Sequence, residues 1–211
     1  IRGWLDQFET EDQDIAARLL DCVDFISNEQ IRAAFRTILE GLPGWDRAAS
    51  KRSGTWRFAP YTSSAGESGD SMMHVFRQAN NMASRSFNDL FIYRSDLIRE
   101  RLGADDTVVF VDDMVGSGQQ VCDFWDEAFA ELLAEVGTVY LIVVAACSNA
   151  VQRIADHTAI DLKPHFQLTD ADNFFHAACK YFNDDEKKTM FEYCEFLDDS
   201  KRKGNCDTGL V

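Results

Sequence analysis

The chain has 211 residues, and its 45% hydrophobic content is enough for one domain with a sizeable core. Its formal net charge of −15 argues against broad contact with nucleic acid or an anionic membrane, because phosphate contacts need clustered Lys and Arg. Six scattered cysteines and four histidines lack the spacing of a metal site. The sequence shows no signal peptide or membrane-spanning run, so we expect a cytoplasmic protein.

Residues 1–45 are predicted to form a helical N-terminal addition to an α/β core over residues 46–170. Thr10 and Gln13 have the spacing of a capping box, and Ser27 and Gln30 repeat it seventeen residues later. The first apolar stripe comprises Ile15, Leu19, Val23 and Ile26, and the second comprises Ile31, Phe35, Ile38 and Leu42. Pro43 and Gly44 should end the second helix.

A strand is predicted at residues 55–59, followed by a small-residue loop at 61–70 and a helix from about Ser71 to Asn81. A basic patch overlaps this strand. Its members are Arg47, Lys51, Arg52 and Arg57. Such a patch is usually a solvated face, and a role in holding phosphate is the alternative.

The stretch from Thr107 to Gln120 carries the clearest chemical pattern. A continuous run of β-branched and aromatic residues, Thr107 to Val111, predicts a strand buried in a parallel sheet. Asp112 and Asp113 follow where that strand should end, and the turn at 116–118 then leads into an amphipathic helix. The apolar stripe of that helix comprises Val121, Trp125, Phe129, Leu132 and Val136.

This order of strand, acidic pair, turn and helix indicates a ligand site. A helix N-terminus preceded by glycines can bind a phosphate through backbone N–H groups, and the Ser117 hydroxyl adds a donor. Carboxylates at a strand end can accept hydrogen bonds from the vicinal hydroxyls of a ribose. We therefore predict a site for a sugar 5-phosphate. Alternatively, the acids only end a strand, while Ser117 and Gln120 form a helix capping box.

The run from Phe110 to Gln120 resembles the phosphoribosyl-pyrophosphate signature of type I phosphoribosyltransferases. The resemblance implies an α/β, phosphoribosyltransferase-like (Rossmann-like) fold, with a parallel sheet flanked by helices and helical N- and C-terminal additions. It also implies that Asp112 and Asp113 are catalytic residues that hold the ribose hydroxyls. The phosphate-binding residues that it implies are Gly116, Ser117, Gly118, Gln119 and Gln120.

Three positions depart from the family pattern. Gln119 and Gln120 are bulkier than the small or hydroxyl residues that are usual there. Gly116 stands where some branches have an aspartate that acts as a base toward the incoming nucleobase. A purine-type mechanism that uses this base is therefore not expected.

The resemblance also implies a pyrophosphate site and a metal. In the family, the loop after the first core strand grips pyrophosphate, and a small-residue loop occupies that place here. The candidate pyrophosphate-binding residues are Ser63, Ser64, Ala65 and Gly66, with support from Arg77 on the next helix. The alternative is a flexible surface loop. The family implies Mg²⁺ bound with the pyrophosphate ligand, held indirectly by Asp112 and Asp113.

The remaining elements complete the predicted sheet. Strands are predicted at 138–146 and 160–168, the second an edge strand interrupted by Pro164, with a helix at 149–157 between them. Residues 171–211 should form a helical C-terminal addition, with a capping box at Asn183 and Glu186. Because the chain starts without methionine and ends in apolar residues, we expect it to be truncated.

We therefore expect a phosphoribosyltransferase (a glycosyltransferase) that binds phosphoribosyl pyrophosphate or a nucleotide and releases pyrophosphate. The overall layout also resembles phosphoribosyltransferase-like domains of bacterial defence systems, which implies an antiviral role. Little room remains between Tyr93 and Thr107 for the long mobile catalytic loop of many family members. A non-catalytic nucleotide sensor, signalling to a partner domain or within a homo-oligomer, is thus the alternative. A purely structural interaction module would make the acids and the turn a coincidence.

Overall fold

A computed structural model of the protein describes residues 1–62 and 68–200, with side chains described through Glu195. The chain divides into two compact units, one of Ile1–Ile26 with the chain from Thr169 onward, the other of Ser27–Leu168. The helices are α1 (Arg2–Leu5), α2 (Gln13–Asp21), α3 (Asn28–Gly41), α4 (Ser68–Ala79), α5 (Gln119–Ala128), α6 (Ser148–His157) and α7 (Asp184–Ser200). The strands are β1 (Trp56–Pro60), β2 (Thr107–Val115), β3 (Thr138–Cys147) and β4 (Ile160–Leu168).

Short 3-10 helices lie at Ala49–Lys51, Arg85–Leu90, Arg94–Arg99 and Asp170–Asp172. Within the described ranges, no helix has both the length and the apolar character needed to cross a membrane.

The Ser27–Leu168 unit is built around one parallel sheet. Its strands lie in the order β1-β2-β3-β4, and each neighbouring pair is parallel. Phe58 of β1 also forms an isolated parallel bridge with Phe91. Because β1 already pairs with β2 along one edge, this bridge must lie along the other edge. The segment around Phe91 thus contributes a single bridge to the sheet.

Two hydrophobic cores cover the two faces of the sheet, as the alternation of side chains along β2 requires. Val108 and Phe110 belong to the core that includes residues of α5 and α6, such as Trp125. Val109 and Val111 belong to the core that includes residues of α3 and α4, such as Phe76. Helices therefore flank both faces, which confirms the α/β architecture expected from the buried strands.

Several predicted helix bounds differ from the structure. The Ser27–Gln30 capping box at the start of α3 is confirmed, as both of its hydrogen bonds are present. The capping box at Thr10 is wrong: α2 begins only at Gln13, whose side chain donates to the Phe8 carbonyl. The helix after the glycine turn ends at Ala128, well before Val136. Its apolar stripe nevertheless packs in one core, with Val121, Trp125 and Phe129 buried and Leu132 and Val136 partly buried against it.

The described part of the unit that combines the two ends of the chain contains α1, α2 and α7. Asn183 and Glu186 exchange the two hydrogen bonds of a capping box at the start of α7, as predicted. Glu186 also pairs with Arg18 of α2, and the Tyr193 hydroxyl donates to the Asp12 carboxylate at 2.6 Å. These contacts join α2 to α7 within this unit.

Candidate functional site

A cavity of about 410 Å³ opens where β1 and β2 end. It is lined by Tyr61, Ser68, Asp112, Asp113, Met114, Val115, Gly116, Ser117, Gly118, Gln120, Val121 and Phe124. The structure thus brings the two predicted acids and most of the predicted phosphate turn into one cavity. Of the predicted phosphate-binding residues, only Gln119 is not part of its lining.

The cavity lies at a switch point in the sheet. After β1 the chain first runs to the Phe91 bridge on one side of β1 and then forms β2 on the other side. In open α/β sheets, ligands bind beyond the carboxyl ends of the strands at such a point. The topology itself therefore brings Tyr61, which follows β1, close to the acids of β2.

Asp112 and Asp113 both line this cavity, although consecutive side chains of a regular strand point to opposite faces. In a regular strand, residues five positions apart face opposite sides of the sheet, yet Phe110 and Val115 belong to the same core. The alternation therefore breaks between them. In the pairing of β2 with β3, Asp113 and Val144 are not described as partners, although the pairs on both sides of them keep the same register. We infer that this irregularity lets both carboxylates face one cavity. The expectation that the strand ends before Asp112 is wrong, because β2 continues to Val115.

Asp112 is half-buried and has two hydrogen-bond donors. Its Oδ1 accepts from the Ser68 hydroxyl at 2.9 Å and from the Asp113 backbone N–H at 2.9 Å. The pKa of Asp112 is raised to about 6, chiefly by burial and to a lesser extent by the neighbouring Asp113 carboxyl. The two hydrogen bonds act in the opposite direction. A half-buried carboxyl with a raised pKa in a cavity is typical of a functional site.

Asp113 is oriented by its own backbone, since its Oδ1 accepts from the Met114 N–H at 2.7 Å. Both carboxylates are thus held by short local hydrogen bonds beside one another. As acceptor-only groups when ionised, they suit a ligand with neighbouring hydroxyl donors.

The turn before α5 depends on Gly118. Its φ of +79° lies in the left-handed region, which favours glycine. A β-carbon there would lie 3.3 Å from Ala150 and from the Ile154 side chain, so the turn packs tightly against α6. Gly118 is also the N-cap residue of α5. The turn therefore places the start of a ten-residue helix at the cavity, where backbone N–H groups favour an anion.

The proposed Ser117–Gln120 capping box is not present. The Ser117 Oγ instead accepts from the Gln119 N–H at 3.3 Å, because the helix begins one residue later than the box requires. The Gln119 side chain donates to Asp123 at 2.6 Å along the exposed helix surface. Gln120 is the glutamine that lines the cavity.

Sequence reasoning missed the aromatic wall of the cavity. The Tyr61 hydroxyl donates to the Val121 carbonyl at 2.7 Å, and burial raises the pKa of Tyr61. The Tyr61 ring centroid lies 5.3 Å from that of Phe124 on α5. These contacts join the end of β1 to the helix that follows the acids. The sequence marks Tyr61 only as the first residue of a loop, so nothing local signals this contact.

Ser68 was also missed, although it begins α4 beside the acids. Gly69 allows this approach, because a β-carbon there would lie 2.6 Å from Thr62 Cγ2 and 3.1 Å from the Tyr61 carbonyl oxygen. The start of α4 thus lies against the end of β1, and the Ser68 hydroxyl reaches Asp112.

Arg94 places a positive charge at the edge of the cavity. Its Nη1 donates to the Thr62 carbonyl at 3.1 Å, and its guanidinium lies 4.8 Å from the Phe124 ring centroid. Neither contact neutralises its charge. No local pattern marks Arg94, because it lies in a 3-10 helix far from the acidic motif along the chain.

The described lining of this cavity includes none of the residues predicted to bind pyrophosphate and none of the basic patch. Ser63, Ser64, Ala65 and Gly66 lie outside the described residues. Arg77 does not line this cavity, because its guanidinium donates to the Met82 carbonyl and to Asn88. Within the basic patch, Arg57 pairs with Glu100 at 2.7 Å, and the Arg52 guanidinium lies 4.9 Å from the Trp45 ring centroid near the start of β1. Arg52 and Arg57 lie toward the amino ends of the strands, whereas the acids lie toward the carboxyl end of β2.

Among the described residues, no cluster of three or more His, Cys, Asp or Glu side chains could hold a metal ion. Two adjacent carboxylates suit a different mode of Mg²⁺ binding, in which the ion is held by one or two carboxylates, by waters and by the phosphates of a ligand. The donor set of Asp112 and Asp113 fits that mode.

A parallel sheet with helices on both faces, an acidic pair and a glycine turn at the switch point define the class as a phosphoribosyltransferase-like α/β protein. The chain belongs to the PRTase-CE family, whose model matches residues 1–209. This confirms the predicted family resemblance and fold class.

No curated protein matches the chain. Among solved structures, it is similar to the AQ2163 protein of Aquifex aeolicus, with 14% identity, a TM-score of 0.42, and coverage of 67% of this chain and 73% of the other. It is also similar to an APRTase of Giardia lamblia complexed with 9-deazaadenine. For that protein the identity is 12%, the TM-score is 0.41, and the coverage is 67% of this chain and 79% of the other.

Proposed function

We propose that the protein binds phosphoribosyl pyrophosphate and transfers the phosphoribosyl group to an acceptor with release of pyrophosphate. The observation that carries this proposal is that two consecutive carboxylates and the start of α5 line one cavity. Vicinal hydroxyl donors and a phosphate, separated by one sugar ring, satisfy both groups simultaneously.

Each part of the ligand then has a partner. The ribose hydroxyls donate to Asp112 and Asp113, and the 5-phosphate accepts from the backbone N–H groups of the turn at 116–118 and of α5. The pyrophosphate lies toward the start of α4, where Arg94 adds a positive charge near the cavity edge. Mg²⁺ bound to the pyrophosphate, and held indirectly by the two acids, would offset the negative charge of the leaving group.

The reaction is a substitution at the anomeric carbon. The bond from that carbon to the pyrophosphate oxygen breaks and its electron pair leaves with pyrophosphate, while a lone pair of the acceptor forms the new bond. Positive charge that develops on the ribose ring is offset by the ionised carboxylates of Asp112 and Asp113. Apart from the two carboxylates, the described lining includes no side chain that readily accepts a proton. This favours an acceptor that needs no strong base.

A non-catalytic nucleotide sensor is the second candidate. It is favoured by the short segment between Tyr93 and β2, which is occupied by the 3-10 helix Arg94–Arg99 and not by a long loop. The two functions share the ligand and differ in turnover.

The test incubates the protein with phosphoribosyl pyrophosphate, Mg²⁺ and a panel of nucleobases, and measures pyrophosphate release. We expect release with at least one base, and its loss in the Asp112→Asn/Asp113→Asn double variant. Ligand binding without release for any acceptor would support the sensor. An absence of binding by the parent protein would contradict both.

We also propose that the protein acts in bacterial antiviral defence, which rests on the resemblance of its layout to defence-associated domains. The test compares phage plating on bacteria that express the parent protein or the Asp113→Asn variant. Protection that requires Asp113 would support the role, and equal plating on both strains would contradict it.

A further inference from the structure

A second cavity, of about 300 Å³, opens between α4 and the segment around Phe91. Its lining includes Asp70, Met73, His74 and Arg77 of α4, together with Phe91 and Tyr93 from the segment that is bridged to β1. The described linings of the two cavities share no residue. The second cavity is therefore distinct from the site of the acids, although α4 contributes to both.

One face of α4 carries the chemistry of this cavity. Residues 70, 73, 74 and 77 follow the spacing i, i+3, i+4 and i+7, which places them on one stripe of the helix. A neighbouring stripe, with buried Gly69 and Phe76, packs on the sheet. Met73 is partly buried against the core on that side, whereas His74 is exposed. The stripe of residues 70, 73, 74 and 77 thus lies at the border of the core and faces a cavity of ligand size.

Arg77 gives this cavity a fixed cation. Its Nε donates to the Met82 carbonyl at 3.0 Å, its Nη2 donates to the Asn88 amide oxygen, and its guanidinium lies 4.7 Å from the Phe91 ring centroid. Both acceptors are neutral, so they orient the guanidinium without neutralising it. A guanidinium held in this way is suited to binding a phosphate or carboxylate group.

The wall beside Arg77 is apolar and partly aromatic. The Tyr93 side chain is 77% exposed, although it lines the cavity, and Met73 lies on the facing helix. An exposed aromatic ring next to a thioether provides a flat surface on which a heteroaromatic base can stack. The cavity thus combines an anion-binding group with a stacking surface.

We propose that this second cavity binds a nucleoside 5′-monophosphate, with the phosphate on Arg77 and the base against Tyr93. The choice of a nucleotide rests on the proposed function, since transfer of a phosphoribosyl group to a nucleobase yields this class of product. A nucleotide bound here contacts α4, whose first residue Ser68 holds Asp112 at 2.9 Å. The second cavity thus provides a site at which a product-type ligand can contact the helix that orients the acids.

The test uses photolabelling of the full chain with 8-azidoadenosine 5′-monophosphate, followed by peptide mass spectrometry. We expect label on the segment around Tyr93 in the parent protein and in the Asp112→Asn/Asp113→Asn double variant, which leaves the second cavity intact. Label confined to residues 112–124 and lost in the double variant would overturn the proposal. If the double variant no longer binds phosphoribosyl pyrophosphate but is still labelled around Tyr93, the second site is separate from the first.

Two variants make the test specific. Arg77→Gln and Tyr93→Ala should each weaken the competing affinity of adenosine 5′-monophosphate by about tenfold, the loss expected for one charge-assisted hydrogen bond or one stacking contact. Tyr93 is exposed, so Tyr93→Ala is expected to leave the fold intact. This variant therefore carries the test if Arg77→Gln does not fold. Arg85→Gln, an exposed arginine outside the cavity, is the matched control and should change nothing. Unchanged labelling in Tyr93→Ala would contradict the assignment.

Discussion

The two ends of β2 carry aspartates with opposite properties. At the amino end, Asp106 accepts from the Thr55 N–H at 2.7 Å and from the Gly103 N–H at 2.8 Å. Burial acts to raise the pKa of Asp106, but these hydrogen bonds outweigh it and leave the pKa below its ordinary value. At the carboxyl end, burial dominates and raises the pKa of Asp112 to about 6. The same side chain is thus structural at one end of the strand and available to a ligand at the other.

The difference shows what distinguishes the candidate site from the scaffold. Each Asp106 oxygen has a backbone donor, so its charge is stabilised within the fold. Asp112 is buried with less compensation, an arrangement that a ligand with hydroxyl donors would complete. Substitutions at the amino end should therefore lower stability and leave binding unchanged, whereas substitution of the acids at the carboxyl end should weaken binding without lowering stability.

The largest effect is expected for Gly118→Val, which disrupts the site and the scaffold together. A branched residue at φ +79° is strained and would press on Ala150 and Ile154 of α6, at a cost of about 3 kcal/mol or more in unfolding free energy. Displacement of the turn should also abolish phosphate binding. Chemical denaturation and ligand titration measure the two effects. Gly41→Val, at the exposed end of α3 where no atom lies near the added β-carbon, is the control.

A smaller effect, on stability alone, is expected for Asp106→Ala. The change leaves the N–H groups of Thr55 and Gly103 without their acceptor, which should reduce the unfolding free energy by about 2 kcal/mol. Binding of phosphoribosyl pyrophosphate should be unchanged, because Asp106 lies at the far end of β2. Asp105→Ala, at an exposed neighbour, is the control for stability. Loss of binding in Asp106→Ala would show that the two ends are coupled.

The sequence predicted the order of elements and the residues of the turn, because these depend on local patterns. The buried run before Asp112 and the glycines after it identify a strand, a turn and a helix without any tertiary information. The same local reasoning placed the end of the strand wrongly, since continuation of β2 to Val115 depends on pairing with β3.

Contacts between distant segments could not be predicted. Ser68 reaches Asp112 only because Gly69 lets α4 approach the end of β1. Arg94 reaches the cavity edge only because the chain first forms the Phe91 bridge on the far side of β1. Neither contact leaves a pattern in the sequence, because each depends on which strands become neighbours in the sheet.

The raised pKa of Asp112 predicts a pH dependence of binding. The ribose hydroxyl donates to the ionised carboxylate, so binding should tighten as pH rises through about 6 and level off above it. The ligand phosphate titrates in the same range. Asp112→Asn is therefore the control, and its affinity should retain only the pH dependence of the ligand. Identical pH profiles for the two proteins would contradict the assignment.

Stability should vary with pH in the opposite sense. The folded pKa of Asp112, about 6, lies above the ordinary value of 3.8, so the unfolded state binds fewer protons between these values. Stability from this group is present at low pH and is lost as pH rises through that window. Denaturation at pH 4 and at pH 7 should show that Asp112→Asn gains stability relative to the parent at the higher pH.

The smallest effect is expected for Ser117→Ala. The Ser117 hydroxyl accepts one N–H bond at 3.3 Å, so its loss should cost about 0.5–1 kcal/mol of stability. Phosphate binding should persist, since backbone groups supply most of the donors. Melting curves and a titration with the ligand used for Gly118→Val test this. A loss of binding as complete as in Gly118→Val would assign the phosphate to the hydroxyl.

Calorimetric titration with phosphoribosyl pyrophosphate and Mg²⁺ tests the central claim most directly. The proteins compared are the parent, Asp112→Asn, Asp113→Asn and Asp106→Asn, of which the first two substitutions lie on β2 and the third lies directly before it. We predict saturable binding by the parent and by Asp106→Asn, with affinity reduced about tenfold or more in Asp112→Asn and Asp113→Asn. Equal affinities for all four proteins, or a loss confined to Asp106→Asn, would contradict the account.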